Sequence, residues 1–390
     1  MTLSTKKWQI APQITAKAKE ELSEFSGVMQ QVLFNRGYST KADADSFLNA
    51  KPQYDTDPLN MKGVPEAVER LAAAKENGEK VVIYGDYDAD GVTASALLVQ
   101  TLRELGYSYG YYIPNRFEEG YGLNNDALKM LKEDGASVII TVDCGIRAIE
   151  PAQYAKSIGL DLIITDHHTV GEDLPEAVAI INPKQPGDDY PEKNFAGVGV
   201  AYKLAAALLR HFNPESTYRQ FLLDLVAIGT VSDLVPLVGE NRALVKSGLK
   251  FLRYPKRRGV IALEGISGIE QPHKIQSQHI GFRLGPRINA AGRLADATTA
   301  LELLITEDHA KAMELVQELD NRNRERQRIT KEIIEQSEEQ VDAANNGYLL
   351  FAADPDFNAG VVGLAASKLT DTYYRPSVIA HQGDEFTRAS

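Results

Sequence analysis

The chain has 390 residues, with 42 Lys or Arg against 54 Asp or Glu, and its formal net charge is −12. This length allows two or three domains with sizeable cores, and 43% hydrophobic and 25% charged residues exclude a disordered or collagen-like chain. No apolar run reaches about 18 residues, so no membrane span is predicted. The single cysteine, Cys144, excludes an internal disulfide framework and favours a cytoplasmic location.

The first half of the chain is predicted to alternate strands with helices. Residues 15–50 have the apolar spacing of helices, and residues 51–61 are predicted to form a loop. Helical patterns also follow the first two strands, and the region of 197–230 is rich in helix. The short apolar runs that predict buried strands cover residues 81–84, 137–142, 161–165 and 177–181. This alternation predicts an α/β fold with a parallel sheet flanked by helices.

The second half is predicted to contain a long polar helix and the beginning of another domain. Residues 307–344 form a charged helical pattern without Gly or Pro, which is typical of a connector. Beyond it, a strand, a helix and a strand predict a second, smaller α/β domain. The predicted segments are an N-terminal helical part packed on the core (1–60), a main domain (61–305), a connector helix (306–346) and a second domain (347–390). We expect the chain to continue beyond its last residue, because the pattern stops within this domain.

The strongest motif is an acidic turn between the first predicted strand and the helix after it. Asp86, Asp88 and Asp90 alternate within residues 84–91. Carboxylates this close disfavour one another's ionisation, and a divalent cation removes the conflict. A solvated acidic turn that stabilises the helix start is one alternative. A calcium-binding loop is disfavoured, because its twelfth position is Leu97 rather than Glu and because a strand precedes it.

The later apolar stretches also end in potential metal ligands. Asp143 follows the second strand, the sequence Asp-His-His at 166–168 follows the third, and Asp233 follows another apolar stretch. Ligand sites in parallel sheets gather at the carboxyl ends of the strands, so we expect one cluster. Carboxylate with imidazole suits Mn²⁺, Fe²⁺ or Zn²⁺, and the excess of carboxylates favours Mn²⁺ or Mg²⁺. Two ions that share a carboxylate would suit phosphoryl transfer.

These motifs resemble those of the DHH phosphoesterase superfamily, and most closely those of its RecJ family of single-strand-specific 5′→3′ DNA exonucleases. The resemblance extends over nearly the whole chain. It includes, besides the acidic motifs, residues 32–38, 195–201, 281–293 and 360–364. It implies that residues 61–305 form a DHH domain and that residue 347 begins a DHH-associated domain. The rest of that domain and an OB-fold would lie past the end of the sequence.

The resemblance implies a two-metal site that holds Mn²⁺, or alternatively Mg²⁺. Asp88 and Asp143 would bind one ion, with Asp86 beside it, and His168 would lie near the scissile phosphate. The implied ligands of the other ion are Asp90, Asp143, His167 and Asp233. The implied reaction is in-line attack of hydroxide on phosphorus, with stabilisation of the charge on the attacking and leaving oxygens. It would release 5′-mononucleotides from single-stranded DNA in recombination and repair.

Because the overall charge is acidic, contacts to DNA must come from local groups. The candidates for binding the 5′-phosphate and the DNA backbone, as the resemblance implies, are Arg116, Tyr121, Arg287, Asn289, Arg293, Arg388 and Ser390. Arginine can contact two phosphate oxygens at once, and Tyr121 could stack on a base. From residue types alone, a solvated glycine loop and a packing role for Tyr121 remain open. The basic run 256–258 is interpreted as a solvated turn.

Three smaller features complete the prediction. The Gly-Val-Gly segment at 197–199 lacks a third glycine and is interpreted as letting the backbone approach the metal cleft. Cys144 is interpreted as a buried small residue. Arginines in the connector are interpreted as ion-paired on a solvated helix. The chain has Phe357 and Asn358 where RecJ-like chains usually carry Trp and His, which puts a role for that histidine in doubt.

Two rival functions stay open on the sequence. A small-substrate DHH hydrolase, such as a nano-RNase, a cyclic-dinucleotide phosphodiesterase or a family II pyrophosphatase, would share only the metal motifs. A non-catalytic DNA-binding relative would have lost its metal ligands, but every expected ligand is present. The resemblance implies a helicase and a single-strand-binding protein as partners, and we expect a monomer.

Overall fold

The structure is a computed structural model that describes residues 7–116, 118–344, 347–384 and 386–390. These residues form two compact units. The first unit contains residues 13–292 and 296–319, and the second contains residues 293–295 and 320–390 together with the chain start up to Pro12. Residues 1–6 and 345–346, which belong to the predicted N-terminal segment and connector, lie outside the described residues. No helix in the described ranges is long and apolar enough to span a bilayer.

The first unit is built on a five-stranded parallel sheet. Its strands are β1 (Lys80–Gly85), β2 (Ser108–Tyr112), β3 (Ala136–Val142), β4 (Asp161–Thr165) and β5 (Ala179–Ile181). The spatial order is β2-β1-β3-β4-β5, so the direction of strand addition reverses between β1 and β3. In open parallel sheets of this order, the crevice beyond the carboxyl ends at that reversal is where ligands bind.

Helices pack on both faces of this sheet, as its nearly continuous apolar strands require. The helices that begin in this unit are α1 (Ala16–Glu21), α2 (Gly27–Asn35), α3 (Lys41–Asn49), α4 (Val64–Glu76), α5 (Ala89–Glu104), α6 (Asn125–Glu133), α7 (Ile149–Ser157), α8 (Gly197–Phe212), α9 (Tyr218–Phe221), α10 (Leu223–Ser232), α11 (Gly239–Leu252), α12 (Arg258–Ile266), α13 (Ser277–His279), α14 (Gly285–Leu294), α15 (Thr298–Ile305) and α16 (His309–Ala344). Short 3₁₀ turns lie at Pro58–Asn60 and Pro272–Lys274, and a π-helical turn at Ile280–Leu284 joins α13 to α14.

Alternate residues of β1 enter different cores, as the two-residue period of a strand requires. Val81 and Ile83 lie in the larger core, which also contains residues of α4, α5, α8 and α10. Val82 and Tyr84 lie in a smaller core with residues of α6 and α7. Both sheet faces are therefore buried.

The second unit contains a smaller mixed sheet. Its elements are β6 (Leu350–Asp354), α17 (Val362–Tyr373), β7 (Ser377–Gln382) and β8 (Thr387–Ala389), together with α16 from Asp320 onward. Strand β6 is parallel to β7, and β7 is antiparallel to β8. Ile333 and Val341 of α16 are buried in the same cluster as residues of β6, α17 and β7. On the exposed side of α16, Arg328 pairs with Glu325 and Glu332, as the connector sequence predicted.

The fold class predicted from the sequence is confirmed, with two corrections of detail. Strand β2 was not predicted, because Ser108–Tyr112 lies at the edge of the sheet, is only partly buried and lacks an apolar run. The basic run 256–258 is not simply a solvated turn. Arg257 is buried and pairs with the buried carboxylate of Asp224. The predicted domain limits stay predictions.

Candidate metal centre

The loop from β1 to α5 carries three aspartates beside the reversal of the sheet. Asp88 is the N-cap of α5, and its Oδ1 accepts hydrogen bonds from the backbone N–H of Asp90 (2.8 Å) and Gly91 (3.0 Å). The helix N-terminus also stabilises negative charge. A Cβ at Gly91 would lie 2.7 Å from the Cβ of Asp86, so the helix start and the loop meet closely only with glycine there.

Asp90 joins the start of α5 to the start of α8. Its side chain is buried, and its two oxygens accept the backbone N–H groups of Gly197 (2.5 Å) and Val198 (2.9 Å). These are N–H groups that the first turn of a helix leaves without an internal partner. A Cβ at Gly197 would lie 2.7–2.9 Å from atoms of the Asp143 side chain. The interpretation that glycine lets this backbone approach the acidic cleft is confirmed.

Asp143, directly after β3, lies at the centre of the cluster in a strained conformation. Its φ is +61°, in the left-handed region, and its side chain is buried. Its N–H donates to the Thr165 carbonyl (3.0 Å), and its carbonyl accepts the Tyr121 hydroxyl (2.9 Å). A left-handed non-glycine residue costs about 1–2 kcal/mol, and such strain concentrates at functional sites. The two hydrogen bonds help to hold the carboxylate there.

Asp166 orients His168. Its Oδ1 lies 2.8 Å from His168 Nδ1 and also accepts the backbone N–H groups of His167 and His168, while its Oδ2 accepts that of Ile146. Burial alone raises the pKa of Asp166, but the hydrogen bonds from His168 and the backbone hold the pKa below its ordinary value. The same hydrogen bond raises the pKa of His168. His168 is therefore fixed through Nδ1, and its Nε2 is the nitrogen left for a ligand.

His167 points into the group of carboxylates. Its Nε2 lies 3.1 Å from Asp143 Oδ1, 3.7 Å from Asp233 Oδ2 and 3.9 Å from Asp90 Oδ2. Burial lowers the pKa of His167 to about 4. A neutral imidazole is the form that binds metal ions. Lys184 donates to the His167 carbonyl (2.5 Å), which fixes the backbone at this point.

The described residues form three groups in which one potential ligand atom from each residue lies within 4.8 Å of the others. The groups are Asp86, Asp88 and Asp143; Asp90, His167 and Asp233; and Asp143, His167 and His168. Asp143 and His167 each belong to two groups. The structure thus brings together every residue that the resemblance implies as a metal ligand, whereas Asp166, the first residue of the Asp-His-His set, belongs to none of the groups. Their roles as ligands remain a prediction.

The charges of this cluster fit divalent cations. Asp86 Oδ1 and Asp143 Oδ1 are buried and accept no hydrogen bond from a described residue. Burial, followed by neighbouring carboxylates, raises the pKa of Asp86 to about 7 and that of Asp233 to about 6, and it raises the pKa values of Asp90 and Asp143 well above the ordinary range. Oxygen-rich donors with one imidazole match Mn²⁺ or Mg²⁺, whose charge would offset these penalties.

An aromatic and basic loop borders the cluster. The guanidinium of Arg116 lies 5.0 Å from the ring centre of Tyr87, a cation–π contact. The Tyr121 ring meets Tyr87 and His168 edge-on, at centroid distances of 6.4 and 6.0 Å. Tyr121 is 54% exposed although its hydroxyl donates a hydrogen bond to the Asp143 carbonyl. The position of Tyr121 is thus compatible both with packing against its neighbours and with stacking on a base.

Helix α14 approaches the acidic loop from another side. Asn289 Oδ1 accepts the backbone N–H of Ala89 at the start of α5 (2.7 Å). A Cβ at Gly292 would lie 2.3 Å from the Tyr87 carbonyl oxygen, so glycine permits the contact. Arg287 is one helical turn after Arg283, to whose carbonyl it donates (2.8 Å). Asn289 therefore supports the loop, and Arg287 shares its helix.

The remaining predicted residues belong to the second unit. Arg293 donates to the Gly360 carbonyl (3.2 Å). Ser390 pairs through its backbone with Ile379, and its Oγ would lie 2.9 Å from a Cβ at Gly363. Arg388 is exposed in β8. Their predicted contacts with DNA stay predictions.

Sequence reasoning assigned Asp166 to a ligand set with the two histidines that follow it, but in the structure Asp166 orients His168. It missed two further residues that shape the site. Tyr87 had a weak signal as the aromatic between two predicted ligands. No pattern in the sequence pointed to Lys184, because it contacts the His167 carbonyl from a loop 17 residues away.

Comparisons with known proteins identify the family to which the sequence is similar. Residues 80–230 match the family described as DHH family, N-terminal domain. The chain is 44% identical over 382 residues to the single-stranded-DNA-specific exonuclease RecJ of Bacillus subtilis (strain 168). The match covers 97% of this chain and 48% of that protein. The chain therefore spans about half the length of this curated relative.

Two solved structures are also similar. The crystal structure of an exonuclease RecJ bound to manganese is 35% identical, with a TM-score of 0.75, and the match covers 82% of this chain and 80% of that one. RecJ from Thermus thermophilus in complex with Mn²⁺ is 31% identical, with a TM-score of 0.80, and the match covers 93% of this chain and 52% of that one. Both similarities extend well beyond the acidic motifs.

Proposed function

This chain belongs to the RecJ family of DHH proteins, and from that premise we propose that it is a metal-dependent exonuclease that degrades single-stranded DNA from the 5′ end to 5′-mononucleotides. The observation that carries the proposal is the position of Asp143. Its carboxylate belongs to one group with Asp86 and Asp88 and to another with His167 and His168, at the reversal of the parallel sheet. Two cations that share a carboxylate suit hydrolysis of a phosphodiester.

The family resemblance implies the ligand sets, and the three groups are compatible with them. Asp88 and Asp143 would hold one cation, with Asp86 beside it. The other set consists of Asp90, Asp143, His167 and Asp233. Mn²⁺ is the preferred ion and Mg²⁺ the alternative. When bound, such ions neutralise phosphate charge and promote ionisation of water at neutral pH.

The side chains around the ligands position the substrate. His168, held by Asp166 and with a raised pKa, presents Nε2 as a proton donor to a phosphate oxygen. Arg116, fixed over Tyr87, provides positive charge at the border of an otherwise acidic cleft. Tyr121 contacts a base or sugar next to the scissile phosphate. This arrangement uses the phosphodiester backbone and any base, so cleavage does not depend on sequence.

The polarity of digestion depends on recognition of the 5′ end. We assign this recognition to Arg116 and Arg287, assisted by Asn289, which supports the acidic loop. In the second unit, Arg293, Arg388 and Ser390 are the proposed contacts to DNA. A helicase would supply unwound strands and a single-strand-binding protein would deliver them. The protein acts in the cytoplasm as a monomer in recombination and repair.

Product analysis tests the proposal. The substrate is a 5′-phosphorylated, 3′-labelled single strand with Mn²⁺, compared with the matched duplex and with a dinucleotide. We expect stepwise shortening from the 5′ end, release of mononucleotides, little cleavage of the duplex and no activity in Asp143→Ala. Rapid hydrolysis of the dinucleotide without shortening of the strand would contradict the proposal and identify a small-substrate hydrolase instead. Equal cleavage of duplex and single strand would contradict the strand selectivity.

A further inference from the structure

A basic groove lies in the first unit, away from the candidate metal centre. It has a volume of about 320 Å³, and its walls include Arg103, Tyr218, Phe221, Lys256, Arg257 and Arg258. Arg103 is near the end of α5, the helix that begins beside the metal ligands at Ala89. At 1.5 Å per residue, the two ends of this stretch are about 21 Å apart. The groove therefore does not belong to the metal centre.

The groove contains the N-terminus of α12. Arg258 is the first residue of this nine-residue helix, and its first turn contains no acidic residue. In the part of the chain that the structure describes, no side chain caps this end. The unpaired N–H groups of a helix start, together with the helix dipole, attract anions. This feature alone would not define a site.

The second observation is a buried guanidinium nitrogen that has no partner. Arg257 is 4% exposed, and its Nε and Nη2 donate to Asp224, with Nη2 also bonded to the Phe221 carbonyl. Its Nη1 is buried and has no hydrogen-bond partner among the described residues. Because Nε and Nη2 form one edge of the planar group, Nη1 is on the other edge of a side chain that lines the groove. A buried donor without a partner costs about 1–3 kcal/mol, which an acceptor in the groove would relieve.

The charges of the groove also favour an anion. Lys256 and Arg258 are exposed, and neither forms a hydrogen bond or ion pair with a described residue. Arg103, a third cation of the lining, is paired at 3.5 Å with Glu307, which is 88% exposed and also lines the groove. Because Asp224 offsets Arg257 and Glu307 offsets Arg103, the lining keeps the positive charges of Lys256 and Arg258 in a chain whose overall charge is −12. Guanidinium, ammonium and a helix N-terminus together are the donors that phosphate prefers.

Two aromatic rings in the groove favour a ligand that carries a base as well as a phosphate. Tyr218 and Phe221 lie in the same wall, with ring centroids 5.5 Å apart, and Arg257 covers one face of Phe221 at 4.4 Å. A ring next to a phosphate site can stack on a base. We propose that this groove, with Arg257, Lys256, Arg258 and the start of α12, is a second binding site for a nucleotide phosphate. The source is either the backbone of a bound single strand or a free mononucleotide.

The test compares Lys256→Ala/Arg258→Ala with Lys17→Ala/Lys19→Ala. The control removes the same charge from exposed positions of α1. All measurements use the whole chain in an Asp143→Asn background without added metal, so that they do not depend on hydrolysis at the metal centre. Arg257 is kept, because its loss would leave the buried Asp224 unpaired. Circular dichroism verifies folding, and Arg258→Gln alone is the fallback variant.

Two titrations distinguish the sources. If the groove binds a free nucleotide, thymidine 5′-monophosphate will bind about tenfold more weakly to the groove variant than to the control. If it binds the strand backbone, the slope of log affinity for oligo(dT) against log salt will fall by about 1.4, since each phosphate contact contributes about 0.7. Either result supports the site and identifies its ligand. Equal affinity for the mononucleotide and equal salt slopes in both variants would overturn the proposal.

Discussion

Asp166 Oδ1 lies 2.8 Å from His168 Nδ1, and this contact raises the pKa of the imidazole and fixes its direction beside the predicted metal ligands. The same carboxylate accepts the backbone N–H groups of His167, His168 and Ile146. One buried side chain therefore fixes the loop after β4 and one catalytic candidate on it. The predicted ligand His167 and the more basic His168 are neighbours in sequence, and their pKa values are shifted in opposite directions by their surroundings.

Replacing Asp166 by Asn tests this role. The hydrogen bond to Asp166 raises the pKa of His168, so its removal lowers that pKa. We expect kcat to fall roughly 10- to 100-fold, as for other partners of active-site histidines. The limb of the pH–rate profile that reports loss of the His168 proton should move to lower pH. An unchanged profile in a folded variant would assign Asp166 to the structure of the loop alone.

Asp143→Asn separates stability from metal binding. Asn tolerates the left-handed backbone at this position better than Ala does. It also replaces a buried carboxyl group whose pKa is raised by burial. At neutral pH without metal, we expect the variant to be more stable than the native protein by roughly 1–2 kcal/mol. Mn²⁺ should raise the melting temperature of the native protein only. Equal stabilisation of both by Mn²⁺ would show that Asp143 is not a ligand.

Gly197→Ala tests the close approach of α8 to Asp143. The added Cβ would lie 2.7–2.9 Å from three atoms of the Asp143 side chain, so the carboxylate must move. We expect Mn²⁺ affinity, measured by calorimetry, to fall at least about tenfold. The matched control is Gly265→Ala in α12, where a Cβ meets nothing within 4 Å. That control should bind Mn²⁺ normally and gain up to about 1 kcal/mol of stability.

Glu264 makes stability depend on pH independently of the metal centre. Burial, followed by the charge of Asp224, raises its pKa to about 8, and its Oε1 has no hydrogen-bond partner among the described residues. The folded protein keeps this proton between about pH 4.5 and 8 while the unfolded chain loses it, so stability falls as pH rises through that window. The slope is at most about 1.4 kcal/mol per pH unit.

Urea unfolding at several pH values measures this effect. Glu264→Gln should remove this contribution to the slope, so its stability relative to the native protein should increase with pH up to about 8. Glu270→Gln, at an exposed position of the same region, should leave the dependence unchanged. A native slope retained by Glu264→Gln would place the responsible group elsewhere.

The sequence by itself determined the sheet core and the ligand types. The apolar runs of β1, β3, β4 and β5 are stable only in the interior, and Asp86 and Asp143 follow such runs directly, with His167 one residue further from its strand. Because parallel strands all end at one edge, local order along the chain was enough to predict that these side chains meet. The family motifs added which ligands share an ion, which the spacing alone left open.

Only the tertiary structure decided how these groups are supported. Three features depend on segments that are far apart in the chain. They are the edge position of β2, the hydrogen bonds from the start of α8 to Asp90, and the burial of Arg257 against Asp224. The pKa values of His167 and His168 likewise depend on burial and on one hydrogen bond. Residue types and spacing do not predict such contacts, because the burial of a side chain and its distance from a partner are set only when the chain has packed.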